Sequence, residues 1–129
     1  MGITYASLAL SNPVSPSMAP VECEALADTG ALHLCIPQHV ALQLDLTEQE
    51  KREVTLADGS RQLVSYVGPV RVRFQKRLCF VGAMVMGDEV LLGAIPMEDM
   101  DLLVRPMTRE EIVNPANPNI PSAVAKGVR

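Results

Sequence analysis

The sequence predicts an all-β domain, a small closed β barrel with one or two short helices. Three observations carry this. Ten prolines and eight glycines cut the 129 residues into short pieces. Several pieces alternate apolar and polar residues with period two. Tight-turn pairs such as Asp58-Gly59 and Gly87-Asp88 separate them. The length suits one domain, read as residues 1–113, with 114–129 as an extended C-terminal tail. Only four aromatics occur (Tyr5, Tyr66, Phe74, Phe80), with no Trp, so the core is expected to be aliphatic with Met as filler.

Each element follows from local pattern. Ile3 to Leu10 reads as a strand, and the three prolines of residues 11–20 make a loop. In the next strand, Val21 to Ala27, residues Val21, Cys23, Ala25 and Ala27 share one face. Pro37 can start a short helix through Leu44, with Val40, Ala41 and Leu44 on one side. Thr47 to Arg52 reads as a charged surface stretch. Val54 to Val67 reads as a hairpin with Asp58-Gly59 as a two-residue turn. Val70 to Phe74 alternates as a separate strand, Gln75-Lys76-Arg77 turns, and Leu78 to Met86 is a more buried strand. Val90 to Leu92 is a short strand stopped by Gly93. Pro96 to Asp101 supplies a helical turn or two. Leu102 to Val104 and Glu111 to Val113 can pair around Pro106 to Arg109.

Charge narrows the function. Eleven Lys+Arg stand against fifteen Asp+Glu, for a net charge of −4. No Lys or Arg precedes Lys51, while the first fifty residues hold six acids. Such a chain lacks the basic footprint that nucleic acid or an anionic membrane requires. No apolar run approaches the ~18 residues of a spanning helix. The N-terminus lacks the basic region of a secretory signal, and Ala6 stands where a myristoylation motif wants Ser or Thr. The expectation is a soluble cytoplasmic protein with no nucleic-acid and no membrane partner. Three cysteines (Cys23, Cys35, Cys79) without a C-x-x-C pair read as reduced core thiols.

The segment richest in chemistry is Ala25-Leu26-Ala27-Asp28-Thr29-Gly30-Ala31. A carboxylate ends an apolar strand, a hydroxyl follows it, and Gly30 allows a sharp turn or a close approach. Taken alone, Asp-Thr-Gly is a three-letter match. Two further blocks follow in order: Leu56-Ala57-Asp58-Gly59-Ser60 in a hairpin, and Leu91-Leu92-Gly93 before a helix.

These three blocks, in this order, resemble the retropepsin-like (clan AA) aspartic peptidases, in particular bacterial and cyanobacterial stand-alone members. The resemblance spans Ile3 to about Val113. It implies an acid-protease barrel in which Asp28 is the catalytic carboxylate. Thr29 would bond across to its counterpart, and Gly30 and Ala31 would complete the active-site loop. Ala57, Asp58, Gly59 and Ser60 would form the tip of a flap. Leu91, Leu92 and Gly93 would support the Asp28 loop. The tip carries one glycine where retroviral flaps are glycine-rich, and no dimer strand precedes Ile3. The implied reaction needs two carboxylates sharing one proton. The chain has one Asp-Thr-Gly, so the resemblance implies a homodimer with Asp28 contributed twice. The implied partners are a second copy and a peptide or protein substrate. No cofactor or metal is expected.

Three alternatives stay open. His33, Cys35 and His39, with Cys23 upstream, are zinc-type ligands. Their H-x-C-x-x-x-H spacing matches no common zinc pattern, however, and Cys35 sits between Leu34 and Ile36 like a core residue. Cys35 with His39 could also form a thiol–imidazole pair. The third alternative is a non-catalytic dimeric module that keeps the fold for peptide binding or assembly.

Overall fold

The computed structural model describes residues 3–105 and 110–125. Nine strands and two short helices occupy them: β1 Thr4–Ser11, β2 Val21–Ala27, β3 Leu34–Ile36, α1 Gln38–Gln43, β4 Glu48–Thr55, β5 Arg61–Phe74, β6 Arg77–Val85, β7 Leu91–Leu92, α2 Ala94–Asp99, β8 Leu102–Arg105 and β9 Glu110–Val113. Six strands close on themselves in the order β5-β6-β3-β7-β2-β1, and β1 returns to β5 through Ala9↔Arg73, Leu10↔Val72 and Ser11↔Arg71. The predicted closed barrel with two short helices is therefore the architecture found. Two of its pairings are parallel, β2 with β7 and β3 with β6. β4 extends the sheet beyond β5, and the β9-β8 pair extends it beyond β1.

The barrel interior is aliphatic. Leu10, Leu34, Ile36, Val70, Val72 and Leu92 are fully buried, and Phe74 is the single aromatic in the core. On α1, Val40, Ala41 and Leu44 face inward as the spacing predicts, with Pro37 at the N-cap. Met97 and Met100 seal the α2 end. Asn12 is buried in the first loop, where its side chain donates to the carbonyls of Leu44 and Asp45. A buried amide tied this way costs little, because each polar atom keeps a partner.

Several local expectations are corrected. The charged stretch Thr47 to Arg52 lies mostly within β4, an edge strand whose residues are almost all exposed. Charges on an edge discourage pairing with other chains, which accounts for a strand without an apolar stripe. Val54–Val67 and Val70–Phe74 are not separate elements, because β5 runs unbroken from Arg61 to Phe74. Gly68-Pro69 only shifts its register against β6, as a bulge. The hairpin turn has three residues rather than two. Leu56 N–H donates to the Ser60 carbonyl, and only Gly59 of the Asp58-Gly59 pair has positive φ (85°). α2 begins at Ala94, two residues before Pro96.

Arg77 was expected in a turn, but it opens β6 with 3% exposure. Its guanidinium donates to the carbonyls of Met100 (2.7 Å), Asp101 (3.3 Å) and Asn117. Asp101 sits beside it at φ 56° and accepts from Asn114 Nδ2, Asn117 Nδ2 and the Ser122 N–H. Residues 114–122, read from the sequence as the start of a tail, are thereby pinned to the body. Asn114 N–H also donates to the Asp101 carbonyl, closing the base of the β8–β9 hairpin. On β9, Glu111 is buried at 5% exposure, and neither carboxylate oxygen has a hydrogen-bond partner among the described residues. Burial pushes its carboxyl up to about 7. The expected turn at Pro106 to Arg109 lies outside the described residues.

Candidate active site

Asp28 is the first residue beyond β2, and it is exposed together with Thr29 and Gly30. β2 ends here because its neighbour ends. The parallel pairing Leu26↔Leu91 and Ala27↔Leu92 runs out, and the last two bonds are Leu26 N–H to the Val90 carbonyl and Asp28 N–H to the Leu92 carbonyl (3.0 Å). The chain then turns tightly, with Ala31 N–H donating to the Asp28 carbonyl. Gly30 N–H donates to Asp28 Oδ1 at 2.9 Å, which fixes the carboxylate over its own turn. A Cβ at Gly30 would stand 3.1 Å from that oxygen, so glycine gives the amide room to approach.

The Leu91-Leu92-Gly93 triplet lies against this loop. Beyond the Leu92 bond, Ala94 N–H donates to the Ala31 carbonyl (2.8 Å) and Ile95 N–H to the Leu32 carbonyl (2.9 Å). Gly93 is required by contact. A Cβ there would lie 2.3 Å from the His33 carbonyl oxygen and 2.7 Å from the Leu32 carbonyl carbon. The structure thus brings Asp28–Ala31 and Leu91–Gly93 together within a ladder of four backbone hydrogen bonds that joins residues 26–32 to residues 90–95. Two backbone segments that touch without side chains between them form a rigid mount for one carboxylate.

The tip Ala57–Ser60 is placed differently. It caps the β4–β5 hairpin and makes no hydrogen bond to the Asp28 loop among the described residues. Ser60 N–H and Oγ both donate to Asp58 Oδ1, and these bonds hold the Asp58 carboxyl below its ordinary range. The tip is an autonomous turn on a long, exposed lever.

A cluster at the base of that lever escaped the sequence reading. The Arg52 guanidinium lies 3.6 Å from the centre of the Tyr66 ring, and the His33 ring meets Tyr66 edge-on at 6.4 Å. The Tyr66 hydroxyl end occupies the space where Gly82 lacks a side chain, since a Cβ there would stand 2.1 Å from it. The cluster joins β4, β5, β6 and the segment after the Asp28 loop. Burial, then the Arg52 charge, lowers the His33 pKa. No single-segment pattern announces this contact. It depends on the register Tyr66↔Met84 between β5 and β6.

Cys35 lies on β3 and His39 on α1, and burial raises the Cys35 thiol away from a thiolate. Cys23 is raised by burial and by Glu24, and Cys79 is pushed up to about 12 by burial and Asp99. All three thiols are free. Among the described residues, no three His, Cys, Asp or Glu side chains come together as a metal site. No helix among them is long and apolar enough to cross a membrane.

No family model and no curated protein matches this chain. Among solved structures it is similar to the simian foamy virus (mac) protease, at 18% identity and a TM-score of 0.45, over 70% of this chain and 90% of that one. It is also similar to a Legionella pneumophila protein of unknown function, at 14% identity and a TM-score of 0.41, over 77% of this chain and 89% of that one.

Proposed function

We propose that the chain is an aspartic endopeptidase that works as a homodimer, with Asp28 of each copy facing the other across a shared cleft. The observation that carries this is the exposed Asp28 carboxylate on its rigid backbone mount. It keeps lone pairs free for a reacting water, because Gly30 N–H is its one donor among the described residues. Each chain offers one such mount, and the reaction uses two carboxylates, so a second copy completes the site.

In that site one Asp28 is ionised and its partner holds a proton, since two carboxylates in contact do not both ionise. The ionised one takes a proton from water as the water oxygen adds to the peptide carbonyl carbon. The protonated one donates to the carbonyl oxygen. Collapse of the tetrahedral intermediate breaks the C–N bond, and a proton passes to the leaving amine. Thr29 and the Gly30 turn hold the two loops in place, and the 57–60 tip closes over the peptide.

The test is cleavage of a peptide library by wild type and Asp28→Asn, across pH and protein concentration. Asp28→Asn should lower activity by about 10³-fold or more, with the folded barrel unchanged. Wild-type activity should fall on dilution, together with the dimer. Equal cleavage by both proteins would sink the aspartic mechanism. No cleavage by either, from a well-formed dimer, would favour a non-catalytic binding or assembly module.

A further inference from the structure

We infer that the outer face of β5 and β6, around Phe80, is a docking surface for an extended acidic peptide segment that carries two apolar side chains. The inference goes beyond the cleft chemistry proposed above and stands with or without it. The chain has two phenylalanines. Phe74 lies in the core, whereas Phe80 stands outward on β6 at 55% exposure. Leu78, on the same face of β6, is exposed as well. Contiguous apolar surface left in water marks a contact site.

An open recess lies on each side of Phe80. One, of about 270 Å³, is closed by His33, Tyr66, Ile95 and Pro96. The other, of about 340 Å³, is closed by Gln49, Tyr66, Gly68 and Pro69. Phe80, Val81 and Gly82 line both. The outer layer is thin here because Gly82 has no side chain and β5 bulges at Gly68-Pro69. In an extended segment, side chains i and i+2 share a face and stand about 6.6 Å apart, at about 3.3 Å per residue. Two apolar side chains at that spacing can straddle one ring, each at a van der Waals distance of about 3.5 Å.

Charge selects the segment. Residues 61–87 hold five of the eleven Lys and Arg and no Asp or Glu, in a chain whose net charge is −4. Arg71 lies across from Phe80, and Arg73 across from Leu78. The Arg71 guanidinium is 5.7 Å from the centre of the Phe80 ring. Arg71 is part-buried, it makes no ion pair among the described residues, and its Nε is buried with no partner. A part-buried cation without a counter-charge, set beside an apolar surface, favours a carboxylate carried in on a ligand. The acidic residues of the segment meet Arg71 and Arg73, and its apolar residues fill the recesses. Ile95, in the first recess, is bonded to the Leu32 carbonyl just past the Asp28 turn. A docked segment is thus held next to the proposed cleft.

The test uses the full chain carrying Asp28→Asn, so that no probe is cut, and reads amide shifts by NMR. The probe is acetyl-Leu-Gly-Leu-Glu-Glu amide. Its controls have Lys for both Glu, or Gly for both Leu. The probe should shift the amides of residues 68–82 and bind about 10-fold more tightly than either control. Added salt should narrow the gap to the Lys control. Phe80→Ser removes an exposed ring, so the barrel keeps its urea midpoint while the probe binds about 10-fold more weakly. Arg71→Gln, a second and independent variant, should weaken it about 5-fold. Equal binding of probe and Lys control, shifts confined to the Asp28 turn, no binding, or an affinity unmoved by both variants would overturn the inference. So would altered sedimentation of Phe80→Ser, which would make the patch a contact between copies. None of these readings depends on cleavage, so the peptidase reading stands or falls separately, on Asp28.

Discussion

Asp101 and Asp28 each stand where a strand meets a turn. Asp101 receives two asparagine side chains and a backbone N–H, with the Arg77 guanidinium beside it. Asp28 receives one N–H, from its own turn. The bonds from Asn114 first, then Ser122 and Asn117, with the Arg77 charge, hold the Asp101 carboxyl below its ordinary range. A carboxylate so supplied is a fastener, and its lone pairs are spent on the fold. The Asp28 mount is built the opposite way. Its rigidity comes from backbone contacts to Leu92 and Gly93, which leaves the side chain with a single bond, from its own turn. Loss of the first side chain should therefore be felt as stability, and loss of the second as activity.

The largest effect on stability is expected from Arg77→Ala, which empties the fastener. It strands the Met100, Asp101 and Asn117 carbonyls and leaves a void where a buried stem packed. A loss of about 4 kcal/mol is expected, read as a lower urea midpoint. Asp28→Asn should leave the same midpoint unchanged.

Glu111 sharpens the comparison through pH. Its carboxyl, pushed up by burial to about 7 from an ordinary 4.5, binds its proton more tightly folded than unfolded. The chain is thus favoured below about pH 4.5, and that advantage is lost as pH rises to about 7. The cost of a charged Glu111 above that range is on the order of 3 kcal/mol. Glu111→Gln should raise the melting temperature at pH 8, leave it nearly unchanged at pH 4, and flatten the slope between. An unaltered slope would place the pH dependence elsewhere.

The smallest of the three effects belongs to the Asp28 mount. Gly93→Ala drives a methyl into the His33 and Leu32 backbone and should cost about 2 kcal/mol. Peptidase activity should fall by more than this loss of stability explains, because the shift displaces the Asp28 loop. Activity that survives intact in a folded Gly93→Ala would argue against a mount that needs this contact.

The sequence disclosed the parts whose partners lie nearby or whose period is strict. β1, β2 and α1 declare themselves by alternation or by helical spacing, and Leu91-Leu92-Gly93 by an apolar run cut short. The Asp28 turn is legible because its bonds are local, Gly30 to Asp28 and Ala31 to Asp28. β4 is not, because an edge strand with both faces wet carries no hydrophobic stripe. The unbroken β5 hides behind Gly68-Pro69, a pair that ordinarily ends a strand and here only bulges it. Arg77 looks like surface charge because the carbonyls that bury it lie between 23 and 40 residues downstream. Tyr66 and Gly82 are silent for the same reason: their contact exists only once β5 and β6 are in register.

The seating of Tyr66 has an optical consequence. The chain has no tryptophan and only two tyrosines. Tyr5 is 49% exposed on β1, while Tyr66 lies under the Arg52 guanidinium, edge-on to His33 and pressed against Gly82. A ring held between a cation and a backbone has a fixed, asymmetric surrounding, which is what gives a phenol its near-ultraviolet dichroism. The tyrosine band of this protein is thus a built-in gauge of one place, the base of the β4–β5 hairpin. When the hairpin lifts and Arg52 leaves the ring, the band collapses towards that of a free phenol, with no label attached.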